Sequence, residues 1–136
     1  MTTRKILTSG LAIITPVMML ALLAGSAQAG NDASIKGDLR TNIHKAMDSF
    51  VDQQTVGDKL RIYDAVDGKL LRLGSYELHS GIVKKGDFYV SCADFQDQDG
   101  RKIDVDFLVI PNGGELQVTQ GIVHSVEGKK RKYHLE

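Results

Sequence analysis

A chain of 136 residues with 17 basic and 17 acidic side chains suits one domain with a single modest core, and it offers no charge excess for a nucleic-acid partner. Its only cysteine, Cys92, excludes an intramolecular disulfide.

The first predicted element is a targeting segment. Arg4 and Lys5 precede an apolar run from Ile6 to Ala24, and the stretch closes on Ala27-Gln28-Ala29. A positive start, an apolar middle and a small-residue A-x-A end predict a secretory signal over residues 1–29, cleaved after Ala29. The apolar run is nearly long enough to span a bilayer, so an uncleaved anchor is the competing reading. Pro16 and the interrupting Thr and Gly residues favour cleavage. Ser26 stands where a lipoprotein signal needs Cys, and Arg4-Lys5 is not a twin-arginine pair. The expectation is an exported protein, periplasmic or secreted, with no membrane attachment once the signal is removed. The signal holds two of the 17 basic residues and none of the acids, so the 107 residues that follow carry a net charge of −2.

Residues 33 to 52 have a helical period. Ile35, Leu39, Ile43, Ala46, Met47, Phe50 and Val51 recur at spacings of three, four and seven, with Lys36, Arg40, Lys45, Asp48 and Asp52 on the other side. Asp32 or Ser34 is placed to cap the start. From Lys59 the period changes to two. "KLRIYD", "KLLRLGSYELHSGIV", "FYVSCADF", "KIDVDFLVI" and "ELQVTQGIVHSV" are separated by Asp67-Gly68, "KKGD", Asp99-Gly100 and "PNGG". Such pairs accept the positive φ that tight hairpins need. The predicted class is α+β: one amphipathic helix on a curved, roughly five-stranded antiparallel meander, with residues 30–127 as one domain. Gly74, Gly81 and Gly121 inside strands predict bulges or close approaches. Residues 128–136, "GKKRKYHLE", read as a basic, solvated tail that includes His134.

Tight turns place Val90, Cys92, Val105, Phe107, Val109, Leu116 and Val118 on the face the helix covers. Tyr89, Ser91, Asp104, Asp106, Gln117 and Thr119 fall on the solvated face. Pairing through "KKGD" sets His79 opposite Cys92 and Glu77 opposite Asp94, and Gln120 then faces Val105. The expected site is a groove on the helix-facing side of the sheet, lined by Glu77, His79, Cys92, Asp94 and Gln120. Cys92 is most simply a small buried hydrophobe. Paired with His79 it is also a reactive thiol or a metal ligand, and His79, Cys92 and His124 are the metal candidates.

The acid-rich "DQDG" turn is no EF-hand. Setting Gly100 at the sixth loop position puts Phe95 at the first, where an acid is required, and Lys102 at the eighth. Asp97 and Asp99 read as turn chemistry. No P-loop, nucleotide-binding glycine fingerprint or complete nucleophile–base–orienter set is present, so neither a cofactor nor an enzyme is expected.

"LHSGIVKKGDFYVSCADFQDQDGRKIDVDF" resembles a pattern in small exported bacterial proteins of unknown function: His, then G-x-[FY]-[FY]-x-x-C-x-D-F, then D-x-D-F. It covers about a quarter of the chain and implies no activity. The helix-then-meander order is similar to cystatin-like and nuclear-transport-factor-like cones, which host binders, inhibitors and a few enzymes. Those cones carry more helices than this chain offers, which argues against a deep closed pocket. The expected function is an exported binding module for a small molecule, peptide or metal. The alternative is a structural or interaction protein whose exposed sheet face or edge meets a protein partner.

Overall fold

The computed structural model describes residues 30–132; the expected signal and residues 133–136, His134 among them, lie outside the described residues. One helix, α1 (Gly37–Gln54), precedes β1 (Thr55–Val56), β2 (Lys59–Asp64), β3 (Lys69–Lys85), β4 (Phe88–Gln96), β5 (Lys102–Asn112), β6 (Glu115–Val126) and β7 (Lys129–Lys130). Each strand pairs antiparallel with the next, giving an open meander in chain order. The α+β class is as expected, but among the described residues the sheet has seven strands, not five. The two additional strands are two-residue pieces folded back by Gly57-Asp58 and Glu127-Gly128, all four at positive φ. A two-residue strand is too short to display a period, so neither was visible in the sequence pattern.

The helix starts at Gly37, not at residue 33. Asp32 and Ser34 do not cap it; the Ser34 N–H and hydroxyl both donate to Asp32 Oδ1, at 2.9 and 2.7 Å, and close a turn of their own. Gly37, at φ 59°, then makes the bend into α1, a conformation that costs a side-chain-bearing residue about 1 kcal/mol or more. Within α1, Ile43, Met47 and Val51 repeat every fourth position and are buried. Phe50 meets Phe107 of β5 edge-on, with ring centroids 5.8 Å apart. Burial of each of these side chains contributes about 1.5–3 kcal/mol, and Met47→Ala would cost about 2–5 kcal/mol.

The sheet curls so that β2 packs against β6. Gly121 permits this: a Cβ there would stand 2.9 Å from Ile62 Cδ1 and 3.3 Å from Phe50 Cε1. The basic segment after Val126 is not wholly solvated. Lys129 and Lys130 pair with Val126 and Ser125, and Arg131 reaches the buried carboxylate of Asp64 and, at 3.0 Å, that of Asp67. This ion-paired clasp ties the end of the described chain to the β2–β3 turn.

Candidate metal centre

The face on which each β4 and β5 side chain falls is set by the turn between them. Gly100 N–H donates to Asp97 C=O at 3.1 Å, and Asp97 N–H donates to Arg101 C=O at 3.0 Å. With Gly100 at φ 75°, this is a three-residue loop carrying its left-handed residue last. Compared with a two-residue Asp99-Gly100 turn, it shifts the pairing by one position. A shift of one exchanges the faces of every side chain on one strand relative to the other. Cys92 therefore pairs with Asp106, and Asp94 with Asp104, whereas Ala93 pairs with Val105 and Ser91 with Phe107.

This overturns the expected facial assignment. Phe107, Val105, Ala93 and Phe95 belong to the helix-facing core. Cys92 and Asp94 point the opposite way, with Asp104 and Asp106. Ser91, expected in solvent, is buried on the core side, and its hydroxyl donates to Gly81 C=O at 2.9 Å. Asp106, also expected in solvent, is fully buried. The polar constellation thus lies on the outer face of the sheet and not in a helix-facing groove. A groove of about 690 Å³ does run beside α1 at the β5–β6 hairpin, but Asn42, Phe50, Leu116 and Gln117 line it, and none of the five expected residues does.

His79 reaches this outer face through a bulge. Leu78 pairs with Ala93 and Ile82 with Ser91, so three residues of β3 stand against Cys92 alone. The β3–β4 turn is two residues tighter than "KKGD", with Lys85 pairing with Phe88, and the two extra residues of the bulge offset this, so Glu77 pairs with Asp94 as expected and the His79 side chain meets Cys92. The bulge's carbonyls are satisfied from elsewhere: Arg40 of α1 donates to Ser80 C=O and Ser91 to Gly81 C=O. Helix and neighbouring strand thereby hold the segment that presents His79.

At the centre, His79 Nδ1 lies 2.8 Å from Cys92 Sγ, and His79 Nε2 lies 2.9 Å from Asp94 Oδ2. A carboxylate accepts at Nε2, which assigns the imidazole proton there and turns the Nδ1 lone pair toward sulfur. Lys102 Nζ also reaches Asp94 Oδ2, at 2.6 Å. On the next strand, His124 Nδ1 lies 3.0 Å from Asp106 Oδ1 and 3.6 Å from Asp104 Oδ2. His124 gets there because β6 carries an extra residue where Asp104 pairs with Ser125 and Val105 with Val123. One ligand atom each from His79, Cys92 and Asp104 lie within 4.8 Å of one another, as do those from Asp104, Asp106 and His124.

Of the residues singled out in the sequence, His79, Cys92, Asp94 and His124 converge. Glu77 is exposed at the margin, in a shallow depression of about 450 Å³ that it shares with Tyr76, Asp94 and Lys102. Gln120 does not join them; it is exposed and pairs with Leu108, not Val105. Asp104 and Asp106 are the residues that sequence reasoning assigned to solvent. The signal that could have found them is Gly100, read as the last residue of a three-residue loop.

Comparison with protein-family models, curated proteins and solved structures finds no match. The chemistry of the site therefore rests on its own residues.

Burial raises the Asp104 carboxyl to about 6, and the neighbouring Asp106 and Asp94 charges add to that rise against the opposing pull of His124 and His79. Its Oδ1 is buried with no hydrogen-bond partner among the described residues. For Asp94, burial also pulls upward, but hydrogen bonds from Lys102 and His79 outweigh it and hold the carboxyl below its ordinary value. Sulfur, imidazole nitrogen and carboxylate oxygen together form a donor set suited to zinc and its borderline neighbours.

Proposed function

We propose that this chain is an exported binding protein for a divalent transition metal of the zinc type, held by His79 Nδ1, Cys92 Sγ and a carboxylate oxygen of Asp104. The convergence of those three atoms within 4.8 Å carries the reading. Asp94 acts as the positioning carboxylate, fixing the tautomer and ring orientation of His79 as outer carboxylates do for metal-bound imidazoles. Glu77 and the depression beside it supply an acidic approach for a cation. On binding, the ion takes the place of the thiol proton, which leaves to solvent, and the Nδ1–Sγ separation opens from 2.8 Å to about 3.5 Å. Three protein ligands leave a fourth position for water or an exchanging ligand, which suits reversible binding.

The order Cys92, His79, Asp94 is also that of a thiol nucleophile, its base and an orienting carboxylate. Cys92 is only 1 % exposed, which favours a small cation over an organic substrate. The reading is therefore of a binding protein and not an enzyme.

Zinc competition against a chromophoric chelator tests it on the purified full chain. Wild type is expected to compete at micromolar zinc or below, and Cys92→Ser and His79→Ala to bind about 100-fold more weakly. Asp94→Asn should lose about 10-fold. Wild type that fails to compete, or a Cys92→Ser protein that matches it, would contradict the assignment.

A further inference from the structure

The structure assigns a second cation site beside the first, formed by Asp104, Asp106 and His124, with Asp104 bridging the two ions. The inference rests on the zinc-type reading of the first site because Asp104 belongs to both. Asp106 and His124 are buried on the outer face, their facing atoms 3.0 Å apart. Asp104 Oδ2 stands 3.6 Å from the same His124 nitrogen, and the three ligand atoms fall within 4.8 Å of each other. That leaves Asp104 Oδ1, buried and without a hydrogen-bond partner among the described residues, as the oxygen for the His79–Cys92 ion. A carboxylate using one oxygen per ion holds two metals about 3.5–4 Å apart.

The two sites differ in chemistry. The first has a thiol and selects softer ions. The second has two carboxylates and one imidazole and takes a harder divalent cation, of the manganese, iron or zinc class.

Cobalt serves as the probe, with native mass spectrometry counting ions and absorption reporting the thiolate–cobalt band. The wild-type full chain is expected to hold two cobalt ions at saturation and to show the band. Asp106→Asn should hold one and keep the band, whereas Cys92→Ser should hold one and lose it. His124→Gln provides an independent removal of the second site should Asp106→Asn fail to show a cooperative thermal transition. Wild type saturating at one cobalt, or Asp106→Asn and His124→Gln both still holding two, would overturn the second site and leave the first standing. Wild type that takes up no cobalt would instead overturn the metal-binding reading on which both depend.

Discussion

The β4–β5 loop and the outer face beside it both take aspartates out of solvent, but they treat them in opposite ways. In the loop, the Asp97 side chain is 1 % exposed and accepts from Asp99 N–H at 2.9 Å, Arg101 N–H at 2.9 Å and Arg101 Nε at 2.8 Å. Burial alone would raise its pKa; these hydrogen bonds and the guanidinium charge more than offset that and hold it below the ordinary value. At the cluster, Asp104 is 14 % exposed, has no guanidinium beside it among the described residues, and is raised to about 6. The lesson concerns partners more than burial. A carboxylate supplied with donors is part of the scaffold, and one left short of them is a place for a cation.

Asp64 extends the scaffold class, and its partner gives the largest expected effect. Arg131→Ala would leave the Asp64 carboxylate buried without its cation and would detach the terminal clasp. A loss of about 3 kcal/mol is expected in urea unfolding, with zinc affinity unchanged. An effect below about 0.5 kcal/mol would mean that this pair is screened like a surface one.

The contrast between Asp97 and Asp104 is sharpest as a difference of sign. Asp97→Ala strands backbone N–H donors in the loop and should cost about 2–3 kcal/mol. Asp104→Asn removes an underneutralised buried charge. In metal-free protein at pH 7.5 it should stabilise by about 1–2 kcal/mol, because a tenfold change in acidity is worth about 1.4 kcal/mol and solvent screens part of the effect. The pH dependence follows from the two directions. Asp97, depressed in the fold, contributes stability present above its unfolded value near 4 and lost as pH falls through its lower folded value. Asp104, raised in the fold, carries a penalty that is complete above about 6 and gone below about 4. Wild type and Asp104→Asn should therefore converge in stability near pH 4. Destabilisation by Asp104→Asn at neutral pH would place Asp104 in the same class as Asp97.

Much of this fold was legible in the pattern of the chain. The 3.6 period of Ile43, Met47 and Val51 located the helix, and the Gly-bearing turns located the long strands. The His79–Cys92 and Glu77–Asp94 juxtapositions were also reached, but through two offsetting differences: a turn two residues tighter than "KKGD" and a bulge two residues longer than regular pairing. What was not legible is parity across "QDQDGR". The difference between a two- and a three-residue loop lies in one hydrogen bond, Gly100 N–H to Asp97 C=O, and alternation on either side is compatible with both. That single position inverted the face of Cys92 and hid Asp104 and Asp106. Gln120 was misplaced because the β5–β6 turn is two residues tighter than "PNGG", with Asn112 pairing directly with Glu115, and because β6 carries one extra residue between Val118 and Gln120. Arg131 was hidden by its neighbours: in "KKRK" nothing distinguishes the side chain that folds back from those that do not.

X-ray absorption at the zinc edge, on the full chain loaded with one equivalent of zinc, tests the central claim most directly. The expected coordination sphere is one sulfur at about 2.3 Å with nitrogen and oxygen ligands at about 2.0–2.1 Å, the sulfur vanishing in Cys92→Ser. A sphere of nitrogen and oxygen alone in the wild type would remove Cys92 from the site and contradict the assignment.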